Sequence, residues 1–209
     1  MSIAAHNVRD VSSAAAAPRY LTYAEYLAFP EETARYDILD GWKQYRLYGE
    51  PPLPNPTREH QEILLNLAEA FRRYQRSTQN GKTIVAPCDV EIQRVPLRTR
   101  QPDLLYISTA TLEANLPADN PAPLNPAPEL VVEILSPSDT ETVLESKLAD
   151  YARAGVRECW LVRSETQTVA ILQRTDARFE PVGQFSLGET AASLVFDGLT
   201  VAVQDIFAL

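Results

Sequence analysis

The chain has 209 residues, 45% of them hydrophobic and 22% charged, and a formal net charge of −9. That length suits one domain with a sizeable core, and the composition is that of a globular protein and not of a disordered one. No apolar run approaches the ~18 residues of a membrane helix, and two cysteines, Cys88 and Cys159, make neither a disulfide framework nor a zinc cage. The acidic balance argues against holding nucleic acid by bulk charge. With no secretory segment, the expected compartment is the cytoplasm.

Residues 1–19 carry an alanine run without periodicity and read as a mobile tail, which leaves 20–209 as a single domain. Thr22 followed by Glu25 has the capping-box spacing and predicts a short helix over 23–29. Asp40-Gly41 between two apolar runs predicts a hairpin of strands 36–39 and 42–48. Four prolines over 51–56 break the pattern. Thr57 then caps a helix whose Ile63, Leu64, Leu67, Phe71 and Tyr74 recur at helical spacing, ending at Asn80-Gly81.

From Lys82 the pattern turns to strands, at 83–92 and 104–107, and a proline-rich loop follows over 117–128. The run 130–135 (LVVEIL) is the mark of a strand covered on both faces. Ser136-Pro137-Ser138 ends it and opens a helix that runs to Ala154 and closes at Gly155. Short strands are expected at 159–162, 168–172, 179–182 and 194–196, then a final apolar turn at 203–209. The order predicts an α/β (α+β) fold with a mixed central sheet flanked by helices, preceded by an N-terminal helix and hairpin.

Glu133 is the most informative residue. An acid inside a buried strand costs several kcal/mol, roughly, unless it is paired, hydrogen-bonded or bound to metal. Asp103, after Pro102, opens the strand 104–107. If these strands are neighbours, the two carboxylates crowd together, and a hard divalent cation such as Mg2+, or Mn2+ in its place, resolves their repulsion. The Ile134 carbonyl is a natural further ligand. Taken singly, Asp103 also reads as a turn-forming acid, and Glu133 as a structural ion-pair partner.

Val143, Lys147 and Tyr151 are spaced by four, so they share a helical face expected to turn towards the sheet. Lys147 can then stand beside the carboxylates, although alone it reads as a surface lysine paired with Glu145 or Asp150. Trp42 and Trp160 read as packing residues before base-stacking platforms. Asp139, Glu141 and Glu145 suit the first turns of a helix. Between Phe71 and Arg100 the chain carries a local charge of +5 (Arg72, Arg73, Arg76, Lys82, Arg94, Arg98 and Arg100 against Asp89 and Glu91). This is either a solvated face with an arginine loop or a phosphate-facing patch.

QPDLLYIS (101–108), VVEILSPS (131–138) and KLADYARAGVRECWLV (147–162), together with YDILDG (36–41) and GLTVAVQDIFAL (198–209), resemble the Uma-type restriction endonuclease family of the PD-(D/E)XK nuclease superfamily. The resemblance spans about residues 20 to 209. It implies a restriction-endonuclease-like fold and Mg2+-dependent hydrolysis of DNA phosphodiester bonds. Pro102-Asp103 and Glu133-Ile134-Leu135 stand in the motif, with Leu135 at the usual lysine position and Lys147 on the following helix in its stead. The resemblance further implies a supplementary acid at Asp37, where the family usually has Glu, and a histidine of the second helix at His60, suited to a phosphate or a water.

On this reading Asp103, Glu133 and the Ile134 carbonyl hold the metal, Lys147 acts on the water or the developing charge, and Asp37 and His60 complete the site. The expected partners are DNA and, since both strands must be cut, a second copy of the chain. The hairpin around Trp42 offers an apolar edge for that dimer. The rival reading is a nuclease-like fold that binds nucleic acid or a protein without turnover. A glycosidase using Asp103 and Glu133 is chemically conceivable but fits poorly with the few aromatic residues.

Overall fold

The computed structural model describes residues 20–28, 36–45, 57–115, 124–136 and 139–208. The tail at 1–19, the proline segment at 51–56 and the predicted ends at 29 and 46–48 lie outside them.

Helix α1 (Tyr23–Leu27) starts at the capping box read from Thr22 and Glu25. Strands β1 (Tyr36–Leu39) and β2 (Trp42–Tyr45) pair antiparallel across Asp40-Gly41. Both turn residues have positive φ, 52° and 79°, which is the two-residue turn that matches strand twist. Gly41 is needed for space as well, because a Cβ there would lie 2.7 Å from the Tyr20 Cβ. Helix α2 (Arg58–Thr78) is capped by the Thr57 hydroxyl and buries Ile63, Leu67 and Phe71.

Two elements replace the predicted strand at 83–92: β3 (Lys82–Val85) and β4 (Val90–Gln93), which belong to different sheets. The Ala86 N–H still donates to the Asp103 carbonyl, but Pro87 has no N–H to continue the ladder, and the chain leaves for the second sheet. Strand β5 (Arg98–Arg100), expected only as a loop, pairs with both β1 and β4. Strand β6 (Leu104–Ile107), helix α3 (Thr109–Asn115), strand β7 (Leu130–Leu135) and helix α4 (Glu141–Ala154) follow. The chain finishes with β8 (Glu158–Arg163), β9 (Thr168–Thr175), β10 (Arg178–Phe185), β11 (Thr190–Ala192), β12 (Thr200–Ala202) and α5 (Val203–Ile206).

The predicted strand at 194–196 is instead part of the turn from β11 to β12. The backbone N–H groups of Leu194 and Val195 donate to the buried carboxylate of Glu158, at 2.7 and 3.0 Å, so they are satisfied without a ladder.

The main sheet has six strands in the order β10-β9-β8-β7-β6-β3, mixed because β7 and β8 run parallel while the other pairs are antiparallel. A second sheet has the order β2-β1-β5-β4. Alternation along β7 sends Leu130, Val132 and Ile134 to a core shared with α2 and Trp160, and Val131 and Leu135 to a core shared with Tyr151 of α4. Helix α4 also packs on β4. Val143 does not face inward; it is 45% exposed. Leu144 and Leu148 pack partly buried beside Tyr151, while Lys147 and Tyr151 take the inward position expected of them. Of the two tryptophans, Trp160 is buried, whereas Trp42 is 43% exposed and meets Tyr20 edge-on. No helix among the described residues is long and apolar enough to cross a membrane.

Candidate active site

Asp103 and Glu133 meet because β6 and β7 are neighbours. Their antiparallel register pairs Leu104 with Val132, so one step further Asp103 falls opposite Glu133. The Asp103 carboxylate is fixed to that strand: its Oδ2 accepts the Ile134 N–H at 2.8 Å. In extended backbone a residue's N–H and C=O point to the same side, so the Ile134 carbonyl is also on the side of Asp103.

Glu133 points to the α4 face. Its Oε2 accepts from Lys147 Nζ at 2.7 Å and its Oε1 from the Tyr151 hydroxyl at 2.5 Å. Lys147 and Tyr151 lie one turn apart on α4, so a single helix face holds both oxygens. From the opposite side of the sheet, His60 in the first turn of α2 brings Nε2 to 3.5 Å from Asp103 Oδ2, while its buried Nδ1 has no hydrogen-bond partner. His60 shares the helical face of Ile63, Leu64 and Leu67, and this face carries it under the sheet.

All of these groups are covered. Glu133 is 1% exposed, Asp103 3% and Lys147 7%. Charges at that depth persist only when paired and hydrogen-bonded, and the Lys147–Glu133 pair meets that condition. Cys159 lies near enough to sense it: burial, then the charge of Glu133, pushes its thiol well above the ordinary range.

Asp37 is held by the segment that leads into β6. Its Oδ2 accepts from Arg100 Nη1 at 3.1 Å and its Oδ1 from the Gln101 N–H at 3.2 Å. Arg100 and Arg98 both reach Asp150 of α4, at 2.7 Å each. Within the +5 window Arg98 and Arg100 are turned inward in this way, whereas Arg72, Arg73, Arg76, Lys82 and Arg94 are exposed; Arg94 pairs with Glu91 at 3.0 Å and lies over the Tyr23 ring. The guanidiniums of Arg98 and Arg100 are thus engaged by the internal carboxylate of Asp150. Asp89, in the same region, has its carboxyl pushed up by burial. Hydrogen bonds from Tyr26 and Gln101 oppose the shift, the Asp37 charge adds to it, and a hydrogen bond from Thr99 opposes it again.

The donor chemistry fits a hard divalent cation. Two carboxylates and a backbone carbonyl are oxygen ligands of the kind Mg2+ takes, with waters filling the octahedron. Each Glu133 oxygen has a second lone pair beyond the bond it accepts. Among the described residues no three His, Cys, Asp or Glu side chains group closely enough to hold a metal.

A family model described as "Uma2: Putative restriction endonuclease" matches residues 23–204. The chain belongs to the Uma2 restriction endonuclease family. Among solved structures it is similar to one from Anabaena variabilis, described as a "putative nuclease belonging to DUF820". The TM-score is 0.66 at 17% identity, covering 90% of this chain and 97% of that one. At that identity the likeness establishes the shared fold, and the expected nuclease-like α+β architecture is the one observed. No curated protein matches the chain.

Two site features escape sequence reasoning. Tyr151 is legible as a buried helix residue but not as the second donor to Glu133. The link from Asp150 to Arg98 and Arg100 spans about fifty residues and leaves no local signal. The alternating Arg-Thr-Arg string at 98–100 was the available hint.

Proposed function

We propose that this Uma2-family chain is a Mg2+-dependent endonuclease that hydrolyses DNA phosphodiester bonds. The observation that carries the reading is Lys147 bound at 2.7 Å to Glu133, with Asp103 opposite it across the β6–β7 ladder. Asp103, Glu133 and the Ile134 carbonyl would hold the cation. When bound, the cation supplies Lewis-acid polarisation of the phosphate and a water of lowered pKa. Lys147 stabilises the charge that develops on the phosphoryl oxygens. Tyr151 fixes the rotamer of Glu133, and His60 orients Asp103 and stands ready to contact phosphate or water. Asp37, held by Arg100 and the Gln101 N–H, would act as the supplementary acid beside Asp103 and Glu133.

The test is cleavage of plasmid DNA with Mg2+ or Mn2+ by wild type, Glu133→Ala and Asp103→Asn. Each variant is expected to lose about 10²-fold or more in rate. Equal rates for wild type and Glu133→Ala over duplex, single-stranded and branched substrates would overturn the assignment. The free thiols of Cys88 and Cys159 suit a reducing compartment. Cutting both strands calls for a homodimer, and a monomer by light scattering at micromolar concentration counts against it.

Burial of the trio favours one alternative, a nuclease fold that binds without turnover. A calorimetric Mn2+ titration separates the two. Binding that Asp103→Asn abolishes supports the enzyme, and no carboxylate-dependent binding supports the module.

A further inference from the structure

We infer that Asp150, gripped by Arg98 and Arg100, is a positioning residue that sets the rotation of α4 and so aims Lys147 and Tyr151 at Glu133; the catalytic meaning of this rests on the nuclease reading. Helix α4 presents two stripes to its neighbours. Ser146 and Asp150 are one turn apart, as are Lys147 and Tyr151, and the two stripes are about 100° apart around the helix. The second stripe holds Glu133 of β7. The first stripe is held by β5: Asp150 Oδ1 accepts from Arg98 Nε and Oδ2 from Arg100 Nε, both at 2.7 Å, while Ser146 Oγ accepts from Arg100 Nη2 at 2.9 Å. A helix gripped on one stripe cannot rotate, so the neighbouring stripe is presented to β7 at a fixed angle.

The same arginine also ties in the other half of the site. Arg100 donates to Asp37, and Asp37 accepts the Gln101 N–H two residues ahead of Asp103. The segment that delivers Asp103 and the helix that delivers Lys147 are thus joined through one guanidinium. Arginine suits this role and lysine does not, because only a planar fork serves Asp150, Ser146 and Asp37 at once. The arrangement is costly for stability alone: well-packed apolar side chains in place of a buried ion-pair network are often neutral or better. Its specific return is orientation.

The chain has only three lysines, Lys43, Lys82 and Lys147, and this permits a readout independent of cleavage. Wild type and Asp150→Asn are treated briefly with an amine-acylating reagent, and each lysine is quantified by peptide mass spectrometry. Lys147 is expected to label about tenfold faster in Asp150→Asn, with the exposed Lys82 unchanged. Arg100→Lys, a milder change should Asp150→Asn fail to fold, is expected to give an intermediate rate. Glu158→Gln serves as the control for general loosening: it weakens a buried anchor of the β11–β12 turn without touching α4. All variants are labelled at the same interval below their own Tm.

In parallel, kcat for plasmid cleavage is expected to fall about 10²-fold in Asp150→Asn with KM held. Lys147 labelling no faster in Asp150→Asn than in Glu158→Gln would overturn the inference. Faster Lys147 labelling in a protein whose wild type cleaves nothing would uphold the clamp and remove the nuclease reading.

Discussion

Replacing Lys147 by Met tests the core of the site without reference to catalysis. Met keeps most of the length and the apolar stem of lysine, so packing on α4 is largely retained and the change is confined to the ammonium. What it leaves behind is Glu133, 1% exposed, with one hydrogen bond from Tyr151 in place of two donors. Breaking a buried pair by removing one partner costs about 3–5 kcal/mol. The surviving Tyr151 bond places the expectation at the lower end, about 3 kcal/mol. For a chain of this size that corresponds to a fall in Tm of about 6–12 °C. The companion double variant Glu133→Leu, Lys147→Met removes both charges. Such replacements are neutral or stabilising by about 1–4 kcal/mol, against about 1–3 kcal/mol for leaving the Tyr151 hydroxyl without its acceptor. The double variant should therefore unfold close to wild type while lacking every capacity to hold a cation at residue 133. Urea unfolding followed by circular dichroism, with coincident near- and far-UV transitions, measures both. A single-variant cost under about 1 kcal/mol, the range of an exposed ion pair, would refute the reasoning, as would a double variant no more stable than the single.

Saturating Mn2+ or Mg2+ should raise the Tm of wild type, by about 2.7 kcal/mol of stabilisation at a hundred times Kd, and should leave Asp103→Asn unmoved in the same thermal scan. Glu129 accepts from Ser108 N–H, Ser108 Oγ and Thr111 Oγ1 at 3.0, 2.6 and 2.5 Å. Burial pushes its carboxyl up, but these bonds outweigh burial and hold it below the ordinary value. A lowered folded pKa means stability present above about pH 4.5 and lost as acid protonates the folded carboxyl. Glu129→Gln should thus cost about 1–2 kcal/mol at pH 7 and progressively less as the pH falls through the folded pKa, and a cost that does not fall with acid would contradict the shift. Burial, then the Asp89 charge, pushes the Cys88 thiol up to about 11. A disulfide reagent at pH 8 should therefore react with native protein about 10²-fold more slowly than with the urea-unfolded chain. With the folded pKa raised, the linked stability is intact below about pH 8.5 and declines as pH climbs towards 11.

What could be read along the chain and what could not divides by the range of the interaction. The LVVEIL run, Pro102-Asp103 and the four-residue spacing of Lys147 and Tyr151 are local signals. Each fixes one side chain on one element, and β6 and β7 then bring them together because both strands are too apolar to lie anywhere but the middle of a sheet. Burial did not follow from the same signals: nothing local states that α4 on one side and α2 on the other close over the carboxylates. Arg98 and Arg100 show the opposite failure. Read locally, arginines flanking a threonine are a solvated loop. In the fold they are the paired residues of β5, buried because Asp150, Asp37 and Ser146 converge on them from elements up to sixty-three residues away.

Of the expected face Val143, Lys147 and Tyr151 on α4, only Val143 does not turn inward, for a similar reason. Val143 fits the spacing of Lys147 and Tyr151, but Leu144 and Leu148 bury more apolar surface, and the helix turns to satisfy them together with Asp150. The same orientation keeps Lys147 Nζ at Glu133. The position of the lysine is therefore decided jointly by apolar packing on one flank of the helix and the paired guanidiniums on the other. Its orientation thus depends on residues that carry no functional motif of their own.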